Sequence, residues 1–418
     1  MSAVIDRADA AAAPRYQAGG RAFARIAQFH TELTALRRDL HAHPELGFEE
    51  VYTSARVAQA LRLCGVDEVH TGIGKTGVVG LVHGRHGPGH MAADGRPRAV
   101  GLRADMDALP MAEHNSFDWK SSKPGLMHGC GHDGHTAMLV GAARYLAETR
   151  NFHGTAVLIF QPGEEGYAGA REMIRDGLFE RFNCREVYAQ HNSPEAPLGV
   201  IGVTPGPMQA AVDRIEIVIR GQGGHGARPQ QCVDPVLVAG HIITAAQSVV
   251  SRNLSAFDQA VVSICSMQGG NPGAMSVIPG SVTLVGTVRT YHEAVQNRIE
   301  ERLRVLCSSV AQGFGATAEL TYERVYPATV NTVPEAEFAA DVATSLVGAD
   351  RVLRNMLPSM GGEDFSFMLQ VRPGAYLRVG QGGEGCEPLH NSRYDFNDEI
   401  LPLGAALHAS LVEQALPL

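Results

Sequence analysis

No apolar run in this chain approaches the ~20 residues that a membrane span requires. Aromatic residues make up only 6 %, with a single tryptophan, and no internal repeat is present, which sets aside solenoids and propellers. Lysine and arginine nowhere cluster densely enough to track a nucleic-acid backbone, and the formal net charge is −9. Cysteine is sparse and unpatterned: seven residues, at 64, 130, 184, 232, 265, 307 and 386, odd in number and scattered. That excludes a disulfide framework and fits unpaired thiols in a reducing cytoplasm. The Ala-rich start lacks the basic head and apolar core of a secretory signal, so a flexible leader is expected up to about residue 28.

What the chain has in quantity is glycine, 47 residues in 418, on a globular background of 44 % hydrophobic and 19 % charged residues. Glycine at that level suits an α/β protein with many tight strand–helix turns. The length exceeds one usual core, so two domains are expected. Helical spacing of Phe23, Ile26, Leu33, Leu36 and Leu40 predicts a helix that Pro44 ends, and Glu49-Glu50 open the next, through Leu63. His41 and His43 at that junction read equally as ligands or as satisfied helix-end histidines. Thr71 to Val82 contains Gly-x-Gly-x-x-Gly and Gly-Lys-Thr. The P-loop spacing fails at Val69, and the glycines precede a strand rather than a helix, so nucleotide binding is set aside. Arg85 to Arg98 reads as a polar loop.

The densest chemistry lies at Met127-His128-Gly129-Cys130-Gly131-His132-Asp133-Gly134-His135. Cys130 and His132, two apart, can point the same way, and the glycines let the backbone turn sharply. A glycine-rich surface loop with solvated histidines is the plain alternative, and the following segments weigh against it. A strand at Val100–Leu102 leads into Asp105, the buried strand Thr155–Phe160 into Glu164-Glu165, and the strand Glu186–Gln190 into His191. Helices are expected between them at Thr136–Thr149 and Gly169–Gly177. Open α/β sheets place their sites at such carboxyl ends. A Gly-rich loop near the C-terminus delivers His390.

From about Gln209 the pattern changes to alternating strands and amphipathic helices in the order β-α-β-β-α-β, a ferredoxin-like arrangement. A second domain is therefore expected at 208–325, inserted into a catalytic metal-binding domain of 29–207 and 326–418. Its free strand edge and amphipathic helices suit dimerisation. The fold expected overall is α/β, with a mostly parallel central sheet plus this insert.

Taken as a set, Cys130, His132, Glu165, His191 and His390 suit zinc, manganese, cobalt or nickel. Five ligands exceed one tetrahedral ion, and two divalent ions sharing a bridging ligand, with Cys130 the candidate, are the simplest solution. Adjacent Glu164 and Glu165 can then divide the work. One binds metal; the other takes a proton from water, whose pKa a cation lowers to about 7, and passes it to a leaving nitrogen. Asp105 would orient a ligand imidazole.

At these residues the chain resembles the M20 peptidase family. The motifs that carry the likeness are Asp39-Leu40-His41-Ala42-His43-Pro44-Glu45-Leu46, Arg103 to Pro110, Met127 to His135, Gln161-Pro162-Gly163-Glu164-Glu165, Gly362-Glu363-Asp364-Phe365 and Leu389-His390-Asn391. They fall in order across roughly residues 30 to 415 and are similar to the amidohydrolase branch, which holds hippurate hydrolases, N-acyl-amino-acid aminoacylases and auxin-conjugate hydrolases. The resemblance implies a di-metal catalytic domain and a lid domain that dimerises. It places the metal ligands on Cys130, His132, Glu165, His191 and His390, the general base on Glu164 and a supporting aspartate on Asp105. It makes His225 a lid histidine that reaches the partner subunit's site, and Asn271 and Arg289 lid contacts to a substrate carboxylate. The activity implied is that of a cytoplasmic, homodimeric, metal-dependent hydrolase of small N-acetyl or N-benzoyl amino acids, with no nucleic-acid or membrane partner. A dipeptidase or carboxypeptidase of the same family, or a non-catalytic metal-binding protein, are the alternatives. The sequence departs from the family at Ser276, where relatives carry asparagine near the substrate.

Overall fold

The computed structural model describes residues 16–87, 91, 95, 97–383 and 385–418. The chain divides into two compact units, one of Met1–Gly206, Val330–Leu357 and Phe367–Leu418, the other of Pro207–Thr329 and Pro358–Ser366.

The first unit is built on an eight-stranded sheet in the order Glu68–Ile73, Gly77–His83, Thr155–Gln161, Ala99–Asp105, Glu186–Pro197, Gly374–Gly382, Ile201–Gly202, Val352–Leu353. Thr155–Gln161 and Ala99–Asp105 are buried at every position, as strands with both faces covered must be. The sheet is mixed, which corrects the mostly parallel expectation. Ladders among the four central strands run parallel, whereas Gly77–His83 pairs antiparallel with both of its neighbours. The cause is local. Gly74 and Lys75 take positive φ (60° and 82°), which closes a hairpin between the first two strands where a helix would be needed to keep them parallel. The same hairpin disposes of the nucleotide motif, since Gly77 opens a strand.

The helix His132–Thr149 is buried around almost its whole circumference and packs against the equally buried Leu401–Ala415. A helix apolar all round belongs inside a layered core. Two boundaries differ from the sequence reading in ways that matter for the site. The helix begins at His132, four residues earlier than expected, and the strand after Glu186 continues to Pro197, so His191 lies within it rather than at its end. The expected leader to residue 28 is also corrected. Residues 1–15 lie outside the described residues, but Tyr16 is buried with its hydroxyl donating to the Glu399 carbonyl at 2.9 Å, and Phe23 and Ile26 of the helix Arg21–Ile26 are core residues. Apolar side chains at helical spacing tie this stretch down. Of the Arg85–Arg98 loop, residues 88–90, 92–94 and 96 lie outside the described residues.

The second unit carries a four-stranded antiparallel sheet in the order Ala260–Gly269, Ser281–Thr290, Ala211–Arg220, Thr317–Tyr326. Ile215, Ile217 and Ile219 alternate inward against Val238, Ile242, Ala246 and Val249 of the helix Pro235–Asn253. Asp234 caps that helix, accepting from the Val236 and Leu237 amides, and Pro235 occupies its first turn. The unit also takes in Pro358–Ser366, which the sequence reading left with the first domain. The Ala210 amide donates to the carbonyls of Ser359 and Gly361, and Gly362 leaves no room for a Cβ, which would stand 2.3 Å from Val212.

Candidate metal centre

Strand register sets the level of the donors. Asp105 pairs with Gln161, and Arg103 pairs with Ala189, across two parallel ladders. Two residues beyond Arg103 and Ala189, the strands reach Asp105 and His191. After Gln161, Pro162 ends its strand and Gly163 turns the chain at φ 58°, so Glu164 and Glu165 follow at the same edge. Cys130 and His132 enter from the helix side. Gly131 between them sits at φ 93°, where a Cβ would stand 2.4 Å from Asn192 Oδ1. His390 arrives on a left-handed backbone, φ 62°, its amide donating to the Gly129 carbonyl at 2.8 Å. Such a conformation is uncommon outside glycine and clusters at functional positions.

These elements bring the five expected ligands together. Cys130 Sγ lies 3.4 Å from His191 Nε2, and His390 Nε2 lies 3.3 Å from Glu165 Oε1. Ligand atoms of Cys130, His132 and His191 fall within 4.8 Å of one another, as do those of Cys130, Glu165 and His390, and those of His132, Glu164 and Glu165. Cys130, His132 and Glu165 each belong to two of these groups. Glu164 is buried among them.

The outer contacts fix which atoms face inward. His132 Nδ1 lies 2.9 Å from the Asp107 carbonyl oxygen and 3.2 Å from its Oδ1, so it carries the proton and Nε2 is the available nitrogen. Asp107 Oδ2 also accepts the Glu165 amide at 2.9 Å. Sequence reasoning gave the orienting role to Asp105; the carboxylate that holds His132 Nδ1 is Asp107, which lies two residues past the strand end. The Asp-x-Asp spacing was the available signal. Asp105 contacts His135 Nδ1 at 2.6 Å, accepts from Arg103 Nη1 at 2.8 Å and lies 3.6 Å from His132 Nε2. Burial opposes its charge, yet His132, Arg103 and His135 outweigh burial and hold it well below the usual carboxylate range. His191 Nδ1 lies 2.7 Å from the Asn192 carbonyl, which turns Nε2 toward Cys130.

The remaining residues of the Cys/His stretch do other work. His135 Nε2 lies 2.8 Å from Asn192 Oδ1. Asp133 accepts from Arg37 Nε at 2.8 Å and lies 2.9 Å from His41 Nδ1. His128 is buried with neither ring nitrogen hydrogen-bonded among the described residues, and burial brings its pKa down to about 4. His41 is satisfied between Asp133 and Glu113, and His43 lies against the Asp39 carbonyl, so both are helix-end histidines.

In the second unit, His225 is exposed on a two-residue ladder opposite Val277, with its Nδ1 accepting from the Ala227 amide at 3.1 Å. The Ser276 carbonyl accepts the Gly226 amide at 2.7 Å, a backbone contact that any side chain at 276 permits. Asn271 is exposed and accepts from the Gly273 amide. Arg289 is half-buried in its strand, with Nη1 buried and not hydrogen-bonded among the described residues.

The donor set fits a divalent cation. Among the described residues, His132 Nε2 is buried without a hydrogen-bond partner. Burial, with Glu165 beside it, pushes the Cys130 thiol well up, and a cation is the partner that offsets both effects. A closed structural site would need fewer and shorter-range ligands. A second carboxylate drawn into the cluster is what hydrolysis requires and storage does not, which places the chain among metal-dependent hydrolases. Residues 101–414 match the model of peptidase family M20/M25/M40, and the chain belongs to this family. It is 39 % identical over 386 residues to the hippurate hydrolase of Campylobacter jejuni, covering 92 % of this chain and 97 % of that one. It is 38 % identical over 385 residues to the N-acetylcysteine deacetylase of Bacillus subtilis, covering 92 % and 96 %. The crystal structure of the Bacillus subtilis YxeP protein, a dinuclear metal-binding peptidase of the family, superposes with a TM-score of 0.79 at 34 % identity, covering 93 % of this chain and 99 % of that one. The chain is a metal-dependent amidohydrolase.

Proposed function

We propose that the enzyme hydrolyses small N-acyl amino acids, N-acetyl or N-benzoyl, to a carboxylate and a free amino acid. The relatives named for hippurate and N-acetylcysteine support that substrate class. Two divalent ions, zinc, manganese, cobalt or nickel, would be held by Cys130, His132, Glu165, His191 and His390, with Cys130, whose thiolate can bridge, as the shared ligand. When bound, the ions supply polarisation of the acyl carbonyl and acidification of water.

The chain's own residues do the rest. Glu164 takes a proton from water as it attacks the carbonyl and delivers it to the leaving nitrogen. Asp107 keeps His132 in one tautomer, and Asp105 with Arg103 fixes the neighbouring His135. Arg289, whose guanidinium has an unmet buried nitrogen, and Asn271 are assigned to the substrate carboxylate. His225 is assigned to the oxyanion of a partner subunit. In this reading the second unit is a ferredoxin-like lid through which the chain dimerises, and the first unit is the catalytic domain. Seven unpaired cysteines support a cytoplasmic setting.

The observation that carries the proposal is Glu164 lying with His132 and Glu165 in one donor group. Glu164→Gln is expected to keep fold and metal content and to lower kcat by about 10²–10⁴-fold. Assays on N-acetyl- and N-benzoyl-amino acids beside dipeptides at equal concentration test the substrate class. Near-parental turnover in the variant would sink the proton-transfer role, and preference for dipeptides would move the assignment to a dipeptidase.

A further inference from the structure

The family-like motif Asp39–Leu46 and the four residues after it, to Glu50, supply neither a metal donor nor a proton-transfer group. The last of these residues does touch the site's supporting backbone. Glu50 is fully buried, and no ion pair to it occurs among the described residues. Its Oε1 accepts the Gly163 amide at 2.8 Å, and its Oε2 accepts the Thr76 hydroxyl at 2.5 Å. Gly163 immediately precedes Glu164, and its carbonyl accepts the Gly169 amide at 2.9 Å. Both polar groups of this one residue are therefore held, at a φ of 58°.

The residues before Glu50 are wedged against the same turn. A Cβ on Gly47 would stand 2.9 Å from the Gly163 Cα and 2.4 Å from the Tyr167 ring. Phe48 takes a left-handed backbone, φ 67°, with its ring edge-on to Tyr167 at 5.8 Å. A bulky residue persists in that region only where its surroundings over-determine it. Unpaired burial of a carboxylate is unfavourable, so the Gly163 and Thr76 contacts are what keep Glu50 in place.

We infer that Glu50 is a positioning residue: its carboxylate fixes the Gly163 peptide and so sets the direction in which the chain presents Glu164 and Glu165. The inference rests on the roles given above to those two glutamates. Partners one step removed from a metal ligand typically govern affinity or activity by about 10–100-fold.

The test uses zinc-loaded enzyme challenged with a chromophoric chelator, with kcat and KM measured on the same preparations and folding checked by circular dichroism. Glu50→Ala is expected to release zinc at roughly tenfold lower chelator and to lower kcat by about tenfold or more, with KM within about threefold. Glu50→Gln keeps an oxygen facing the Gly163 amide and is expected to recover most of both. The inference is overturned if Glu50→Ala matches the parent within about twofold on both readouts, or if Glu50→Gln is as impaired as Glu50→Ala. Should Glu50→Ala fail to fold, Glu50→Asp replaces it. That variant, one methylene shorter, is expected to lose zinc more readily than Glu50→Gln, and equality with the parent overturns the inference. Glu164→Gln, run alongside, reports separately on proton transfer: if it keeps turnover, that role fails while the zinc release still decides Glu50.

Discussion

His408 lies in the helix Leu401–Ala415 with both ring nitrogens buried and, among the described residues, without a hydrogen-bond partner, and burial holds its pKa down to about 3. An unfolded histidine titrates near 6.5. As pH falls below that value the unfolded chain takes up the proton and the folded chain does not, so stability declines from about pH 6.5 toward pH 3. From pH 7 to pH 5 this residue alone accounts for about 2 kcal/mol of lost stability. His408→Leu should flatten the pH dependence of urea unfolding by that amount over the same interval. An unchanged slope would show that His408 is not the titrating group. At the same scale, the two aspartates at and just beyond the end of the strand Ala99–Asp105 show the limit of residue-type reasoning. Both were visible as Asp105-Met106-Asp107, and chemistry alone does not say which faces His132. The choice falls to Asp107 because only its carboxylate reaches both the imidazole Nδ1 and the Glu165 amide.

The helix beginning at His132 is the element on which the centre depends. Its first residue is a donor, and its first turn also carries Asp133 and His135, tied respectively to Arg37 and Asp105. Starting the helix there requires Gly131 at φ 93°, and Asn192 and Tyr394 stand 2.4 Å and 2.7 Å from where a Cβ would be. Gly131→Ala is therefore expected to cost about 1–3 kcal/mol by overpacking, with added backbone strain, and to weaken metal retention because His132 moves with the turn. Denaturant unfolding and chelator-driven metal release check this; parental values in both would mean that the turn tolerates the side chain. Helical periodicity alone missed this start, because glycine and histidine residues interrupt the apolar pattern between 128 and 135. The end of the strand at His191 was missed as well. The expected strand stopped at Gln190, but pairing of Asn192 and Ser193 with Val379 and Gly380 carries it on.

For the whole molecule, the open question is assembly. In the second unit the strand Ala260–Gly269 ends the sheet and pairs on one side only among the described residues, and Phe257 and Met267 nearby are exposed. An edge of that kind is a ready surface for a second copy. Sedimentation of the purified protein at about 10 µM should give twice the chain mass of 44.6 kDa. A monomer under those conditions would remove dimerisation, and with it the role assigned to His225.

The sequence by itself determined the candidate site's ingredients: the paired glutamates, the Cys-x-His step, His191 and His390, and the β-α-β-β-α-β order of the second unit. Those are matters of residue type, spacing and hydrophobic period, which are local. Tertiary structure decided what depends on distant chain segments meeting. It paired Gly77–His83 antiparallel with the remote Thr155–Gln161, and it moved Pro358–Ser366 into the second unit. It also chose Asp107 over Asp105 and set Glu50 against the Gly163 amide across more than a hundred residues of chain. Hydrogen bonds between such remote groups leave no periodic trace in the sequence, because they are fixed by register and turn geometry rather than by composition.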